Sequence, residues 1–451
     1  MLSSGGRVPQ IHTLQYYYGD AAGALQLLHS LHHLMSLKPD VLYPGRGPII
    51  DAPVEACADL TERLRAFCRQ LNFGIDDMDP GAGFLRVSEH VLETYQSCCI
   101  WYVLLSDDGH ALLFDVGYSA YVFIFQNRFG YRTRFLPNTL EVLIAEHGVK
   151  QIDAVLVTHY HDDHVIGVPY VQDHLGAEVW CLDRVAPILA DPTAQNMPCL
   201  MPQALRVDRV LRDRESFEWR GVRLQAHEMP GQTDLHGGFS FEADGRKYFA
   251  IGDSSHIREG KFWHGGVIFA NRVCGQNYLK VAERLLEVEP QVLLHGHARR
   301  HVDGVPRGDS PVSRADLEDY HRSASALDQT LSDLVVDHAD RRCRADWVRM
   351  EPYRLHLATG DSAELSVVVE NLQDETIEVQ VRIVPPEGVG VEPPSLKCSV
   401  APGKEHRSAH RIQVEAARDV APAIICADVV LDGRPLGWIG HSQVWSSGVP
   451  R

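Results

Sequence analysis

The sequence lacks several features that would each indicate a particular class of protein. Its ten cysteines include no CxxC pair and no dense framework, which favours reduced thiols over a disulfide-stapled secreted domain. Scattered disulfides stay open. A charged-then-apolar leader and an apolar run of membrane-spanning length are both missing, so neither secretion nor membrane insertion is expected. Cytoplasmic location is the resulting expectation.

Positive charge is scarce relative to negative charge. The chain carries 43 Lys and Arg against 60 Asp and Glu, a net charge of −17. This balance disfavours a general role on nucleic acid or anionic membranes, although local basic patches stay open. At 451 residues with 45% hydrophobic content, the chain is long enough for two or three domains with ample core.

The pattern of predicted helices and strands changes along the chain, and these changes predict the domain boundaries. Helical patterns dominate the start, short apolar strands alternate with helices in the middle, and strands parted by turn residues fill the end. Alternation of strands and helices is typical of an α/β layered domain. The strand-rich end is typical of an immunoglobulin-like β-sandwich. We therefore predict a mostly helical segment over 1–85, an α/β domain over 86–310, a helical connector over 311–349 and an all-β sandwich over 350–451.

The stretch THYHDDHVIG, residues 158–167, follows the apolar run IDAVLV, which predicts a buried strand. A surface histidine tract would lack both this strand and the interspersed carboxylates. His159 and His161 lie two apart in an extended segment, so both imidazoles can face one metal, and Asp163 and His164 then reach a second. Nitrogen and oxygen donors suit zinc, with iron and manganese as alternatives.

A site for two ions needs more donors than this cluster supplies. His236 in MPGQTDLHGG, Asp253 in FAIGDSS and His297 in VLLHGHA are the candidates, and the latter two follow apolar strands. Other isolated histidines are interpreted as ordinary polar residues or contacts at the substrate rim; these are His227, His256, His264, His295 and His301.

Residues 158–164 resemble the HxHxDH signature of the metallo-β-lactamase superfamily. The middle region supports the resemblance, because LLFDVG is similar to that family's early Asp-x-Gly turn, and GDS and GH follow in the family's order. The resemblance implies a four-layer αβ/βα sandwich with the metals at one sheet edge. It also implies these metal ligands: His159 and His161 for the first ion, Asp163, His164 and His297 for the second, and Asp253 as a bridge.

One position departs from the family pattern. The family often has Pro-Gly-His-Thr where this chain has Pro-Gly-Gln-Thr, with Gln232 at the usual ligand position. His236, four residues on, is the nearest replacement and is predicted as the third ligand of the first metal, while Gln232 offers a weaker carbonyl oxygen. We expect Asp115 to shape a turn and to hold a ligand loop by hydrogen bonds.

These residues predict a binuclear metal-dependent hydrolase that binds two divalent ions, with zinc as the expected metal. A metal-bound hydroxide, oriented by Asp163, would attack a small-molecule ester, thioester, lactone, β-lactam or phosphodiester. Two alternatives remain: an oxygenase with one iron that acts on a sulfur substrate, and a non-catalytic interaction protein stabilised by its metal. The C-terminal sandwich has no metal or nucleophile motif and is interpreted as a packing or partner-binding module. A homo-oligomer stays open.

The first 85 residues are predicted to resemble the end of a second, incomplete domain of the same family. KPDVLYPGRG, residues 38–47, aligns with EPQVLLHGHA, residues 289–298, and Pro39, Val41 and Leu42 recur at identical positions. Arg46 occupies the place of the histidine ligand, and its guanidinium has no lone pair to give a metal. The segment would then pack against the intact domain, or be the end of a longer tandem protein.

We therefore expect the purified chain to bind about two metal equivalents, as each intact site of this type holds two ions. Arg46→Ala should leave stoichiometry and turnover nearly unchanged in elemental analysis and rate assays. A stoichiometry of about four, or loss of metal on changing Arg46, would contradict this interpretation of the N-terminal segment.

Overall fold

The fold is that of a computed structural model. It describes residues 5–7, 27–28, 30–31, 34–35, 37–44, 48–70, 83–94, 99–117, 136–258, 261–264, 269–273, 275–302, 305–334, 346–415 and 420–446. Arg46 lies outside the described residues. The helices are α1 Pro53–Gln70, α2 Leu136–His147, α3 Asp162–Val165, α4 Val168–Leu175, α5 Ala186–Ala190, α6 Gly275–Val288 and α7 Arg314–Leu334.

The first sheet has seven strands that lie in chain order. They are β1 Phe84–Arg86, β2 Val91–Thr94, β3 Tyr102–Leu105, β4 His110–Phe114, β5 Gln151–Val157, β6 Glu178–Leu182 and β7 Arg209–Leu211. β1 to β4 form an antiparallel meander, and β4 to β7 run parallel to one another. β5 is buried over its last four residues, which confirms the strand predicted before the histidine cluster.

The second sheet and two hairpins follow. Their strands are β8 Ser216–Trp219, β9 Val222–Glu228, β10 Gly237–Ala243, β11 Arg246–Gly252, β12 His256–Arg258, β13 Lys261–Trp263, β14 Val292–His295, β15 Arg300–Val302, β16 Val305–Arg307 and β17 Asp309–Pro311. The second sheet has the order β17-β14-β11-β10-β9-β8. β11 and β14 are parallel, so the loops after both strands leave the sheet in the same direction.

The two sheets face each other across one apolar core. Phe114 of β4 stacks on Phe241 of β10, with ring centroids 5.2 Å apart and planes 8° apart. Apolar side chains of α2 and α4 extend this core beyond the first sheet. On the other side, Leu285 of α6 packs with Phe249 of β11, and α7 adds Tyr320 to the same cluster. Burying one face of each element produces the four-layer αβ/βα sandwich that was predicted.

The C-terminal part is all β, as predicted. Its strands are β18 Val348–Glu351, β19 Arg354–Leu357, β20 Ser362–Glu370, β21 Ile377–Val384, β22 Val389–Glu392, β23 Ser395–Val400, β24 Glu405–Val414, β25 Ala423–Leu431 and β26 Arg434–Ser446. They form a four-stranded sheet, β18-β20-β24-β22, and a five-stranded sheet, β19-β26-β25-β21-β23. Inward-facing residues alternate with exposed ones along β21, and both sheets contribute to one apolar core. The immunoglobulin-like kind of this sandwich stays a prediction.

In the N-terminal segment, the described residues between 27 and 35 are helical, and α1 follows them. Its resemblance to the end of a second domain stays a prediction. None of the helices in the described ranges combines the length and the apolarity needed to cross a bilayer.

Candidate metal centre

The predicted ligands lie in loops next to strand ends, at one edge of the two sheets. Those of the histidine cluster come after β5, Asp253 follows β11 and His297 follows β14 by two residues. His236 ends the loop between β9 and β10, and its backbone forms an isolated antiparallel bridge with that of His159. The sandwich therefore brings together residues that are up to 138 positions apart in the sequence, from His159 to His297.

The imidazoles form a compact group around His159. Its ring centroid lies 4.6 Å from that of His161, 4.1 Å from His164 and 4.4 Å from His236. His159 and His164 are fully buried, and His161 is 4% exposed. The four rings are therefore packed directly against one another at this edge of the sandwich.

The carboxylates complete the group on the side of His297. Nε2 of His297 lies 3.2 Å from Oδ2 of Asp163 and 3.2 Å from Oδ2 of Asp253. The same Asp253 oxygen lies 3.5 Å from Nε2 of His164. Asp163, His164 and His297 thus meet the geometric requirement for one shared cation, and Asp253 lies against two of them.

Asp115 holds the histidine cluster in place, as predicted. Its carboxylate accepts hydrogen bonds from the backbone N–H and the hydroxyl of Thr158, at 2.7 and 2.8 Å, and lies 2.9 Å from Nδ1 of His164. The residue has a φ of +59°, which non-glycine residues rarely adopt, at the turn after β4. The bond to Nδ1 leaves Nε2 of His164 pointing to the site, an orientation typical of metal-binding histidines.

Two glycines let other backbone segments approach the ligands. A Cβ on Gly296 would lie 2.3 Å from Cε1 of His164 and 2.8 Å from Oδ1 of Asp253. Gly252 has a φ of +50°, and a Cβ there would lie 2.4 Å from the Thr158 hydroxyl. The glycine of the GH motif is therefore required by the close packing of the ligands themselves.

The electrostatics of the centre favour a cation. Burial lowers the pKa of His159 and His161, and lowers that of His236 to about 3, so these rings are neutral and can donate lone pairs. Burial also acts to lower the pKa of His297, but the carboxylates of Asp253 and Asp163 outweigh it and raise that pKa to about 10. The two carboxylates therefore create a negative potential that demands a positive charge beside them.

The donor atoms fit a divalent ion of the zinc type. Nε2 of His159 and Nε2 of His161 are buried and have no hydrogen-bond partner among the described residues. A buried nitrogen of this kind costs free energy unless something binds it. Neutral imidazoles with carboxylates are the donor set of zinc, iron and manganese sites.

His236 and Gln232 differ in what they can offer a metal. Nδ1 of His236 lies 2.7 Å from the carbonyl oxygen of Gly237, and its Nε2 accepts the backbone N–H of Asp253 at 3.2 Å. Both ring nitrogens are thus engaged, and binding through Nε2 would require the second bond to break. Gln232 donates its amide N–H to Oδ2 of Asp253 at 2.9 Å, while its buried Oε1 has no partner among the described residues. His236 as the third ligand stays a prediction from the sequence. The hydrogen bonding of the described residues favours Gln232 instead, because its Oε1 is free.

Several neighbours of the centre were not singled out from the sequence. Sγ of Cys99 lies 3.3 Å from Nδ1 of His164. The guanidinium of Arg299 contacts Nδ1 of His256 and lies 3.7 Å from Oδ1 of Asp253. These residues carry no motif of their own. The spacing of Arg299, two residues after His297, was the one available signal.

Some of the isolated histidines lie close to the metal centre, and others lie elsewhere. His256 contacts Arg299, and His295, two residues before His297, lies 3.1 Å from the carbonyl oxygen of Ser255 through Nδ1. His227 and His264 instead bind serine hydroxyls, of Ser240 and Ser323. The side chain of His301 lies outside the described residues.

Comparison with known proteins agrees with this architecture. Residues 98–325, about half of the chain, match the model of the metallo-β-lactamase superfamily. No match to a curated protein reaches significance.

Solved structures give more distant similarities. The chain is similar to a subclass B3 metallo-β-lactamase of Bradyrhizobium japonicum, with 19% identity over 56% of this chain and 94% of that chain, and a TM-score of 0.40. It is also similar to a metallo-β-lactamase from Legionella gormanii, with 16% identity over 56% of this chain and 97% of that chain, and a TM-score of 0.41.

A four-layer sandwich with clustered imidazoles and carboxylates at one sheet edge defines a class of metal-dependent hydrolases. The extent of the family match places the protein within it: the chain belongs to the metallo-β-lactamase superfamily.

Asp115→Asn tests the support of the ligand loop. An amide cannot accept from all the donors that the carboxylate serves, so we expect metal affinity to fall by roughly 10- to 100-fold, the range for residues that orient ligands. Competition with a fluorescent chelator measures this. Asp107→Asn is the control, since this 97% exposed side chain lies in the turn at the opposite end of β4. Equal affinity in both variants would contradict the role of Asp115.

Gln232 and His236 are distinguished by paired substitutions. We expect Gln232→Ala to lower metal affinity by roughly tenfold or more, because it removes both the free Oε1 and the N–H that binds Asp253. His236→Ala should have the smaller effect, as its nitrogens serve backbone groups. The reverse order, measured by the same competition, would assign the ligand to His236 instead.

Proposed function

We propose that the protein is a two-metal hydrolase, with zinc as its metal, that cleaves an ester, thioester, lactone, β-lactam or phosphodiester bond in a small molecule. The observation that carries the proposal is the position of Asp253. Its Oδ2 lies 2.9 Å from the amide of Gln232 on one side and 3.2 Å from Nε2 of His297 on the other. One carboxylate oxygen therefore lies beside a candidate residue of each half-site, which supports a bridging role for Asp253.

The burial of the ligands supports a direction of substrate access. The side chain of His164 is fully buried and that of Asp253 is 1% exposed, whereas Asp163 and His297 are 11% and 28% exposed. A substrate that approaches the centre from solvent thus meets Asp163 and His297 first. This access supports the role proposed for Asp163, which would orient an attacking water and receive its proton.

Bound divalent ions supply what these side chains lack, by lowering the pKa of a water and stabilising negative charge on a substrate oxygen. The chain's own residues hold the ions and exclude bulk water from the buried side of the centre. Arg299, whose side chain is 15% exposed, adds a positive charge 3.7 Å from Asp253. This charge can also attract an anionic group of a substrate.

Metal analysis of the purified protein, with a panel of chromogenic esters, thioesters, lactones, β-lactams and phosphodiesters, tests the proposal. We expect about two equivalents of zinc and turnover of at least one class of substrate. One iron with oxygen uptake, or tightly bound metal without turnover of any of these substrates, would contradict it.

Asp163→Ala should abolish turnover of the substrate so identified, by roughly 10²- to 10⁴-fold, because a group that binds the ion and accepts the proton is lost. The circular dichroism spectrum should stay as in the parent. Asp173→Ala, an exposed carboxylate on α4, is the matched control and should keep full turnover. Undiminished turnover in Asp163→Ala would exclude the proposed mechanism.

A further inference from the structure

A short turn that follows the hairpin of β12 and β13 connects both ligand loops of the centre. Asn271 ends the 3-10 helix Phe269–Asn271 and is 3% exposed. Its Oδ1 accepts the hydroxyl of Tyr160 at 3.2 Å, and its Nδ2 donates to the carbonyl oxygen of Gln232, also at 3.2 Å. Its own carbonyl oxygen accepts the backbone N–H of Asp234 at 3.0 Å. One buried residue thus holds the histidine loop and the loop of Gln232 at the same time.

Tyr160 passes this restraint on to the metal ligands. It lies between His159 and His161 in the sequence and is 1% exposed. Its ring lies 4.8 Å from that of His161 with the planes at 89°, so a shift of the tyrosine would displace the neighbouring imidazole. Positions of ligand side chains must be kept within about half an ångström for tight binding.

Arg272, the next residue, has an unusual backbone conformation. Its φ of +61° lies in the left-handed region, which non-glycine residues rarely adopt, and the residue is 8% exposed. The guanidinium is paired with Asp346, directly before the C-terminal strands, and donates to Oε1 of Gln195 at 2.7 Å. A backbone conformation of this kind persists only when its surroundings impose it.

Gln195 connects a third segment to the C-terminal strands. Its amide donates to Oε1 of Glu351, the last residue of β18, at 3.4 Å, and the N–H of Tyr353 donates to the carbonyl oxygen of Ala194 at 2.8 Å. The chain continues from Gln195 to Cys199, whose carbonyl oxygen accepts the N–H of Asp162 at 2.8 Å. The C-terminal sandwich therefore reaches the metal ligands along two routes.

We propose that Arg272 is a positioning residue and that the C-terminal sandwich braces the metal centre through it. The buried guanidinium anchors the turn to Asp346, and the turn fixes Tyr160 and the carbonyl of Gln232. Removing either charge takes this ion pair away from the other buried charge, which loosens the turn. Contiguous hydrogen bonds of this kind can carry coupling between a remote surface and a site. Of the two measurements in the test below, zinc affinity rests on the proposed function, whereas amide hydrogen exchange does not.

The experiment compares Asp346→Asn, Arg272→Gly and the double variant with the parent. Arg272→Gly removes the guanidinium but suits the left-handed backbone, so it isolates the side chain. We expect each single variant to lose roughly tenfold in zinc affinity, by chelator competition, and the double variant to lose no more than either. Amide hydrogen exchange at Asp234 should become faster in all three.

The control is an Arg–Asp pair on the surface of the C-terminal sandwich, Arg382 with Asp428 at 2.7 Å. Asp428→Asn should change neither zinc affinity nor amide exchange at Asp234. Parent-like exchange at Asp234 and parent-like zinc affinity in Arg272→Gly would overturn the inference. If Asp346→Asn does not fold, Arg272→Gly and Gln195→Ala test the inference by the same two measurements, with the same expected losses. A parent that binds no zinc would overturn the proposed function, and the exchange data would still decide this inference.

Discussion

Buried carboxylates at the strand ends are the constraint on which the architecture of this protein depends. Asp115 is 3% and Asp253 1% exposed, and a charge so far from water is stable only when it is paired and hydrogen-bonded. Each has therefore recruited donors from several segments: Thr158 and His164 surround Asp115, while Gln232, His164 and His297 surround Asp253. Satisfying these groups determines where the loops after β4, β5, β11 and β14 must lie.

The same requirement gives the centre its chemical character. Two of these partners are the imidazoles of His164 and His297, and the rings of His159 and His161 beside them are kept neutral by burial. Neutral nitrogen donors beside these carboxylates form a site that a divalent cation completes better than a proton does. The C-terminal sandwich extends the ordering of the centre, because Arg272 and Gln195 connect it to both ligand loops.

Sequence reasoning succeeded where the chemistry is local. The histidine cluster follows a strand whose apolar run is visible without a structure, and the imidazoles at 159 and 161 share a side because side chains alternate in extended chain. Sequence reasoning was weaker where two candidate ligands differ only in their hydrogen bonds. The spacing of His236 and Gln232 suggests either as a ligand, but only the structure shows that the nitrogens of His236 serve Gly237 and Asp253.

The sequence by itself determined the alternation of strands and helices, the donor types and the candidate donor positions, because these follow from residue identity and from periodicities of a few residues. The four-layer arrangement was implied by the resemblance to the family. The tertiary structure decided the rest: the meeting of Cys99 with His164, the role of Asn271 between two ligand loops, and the pairing of Arg272 with Asp346. These contacts join residues that are 39 to 111 positions apart. Such distances are closed by the packing of sheets and sandwich, and no local pattern encodes that packing.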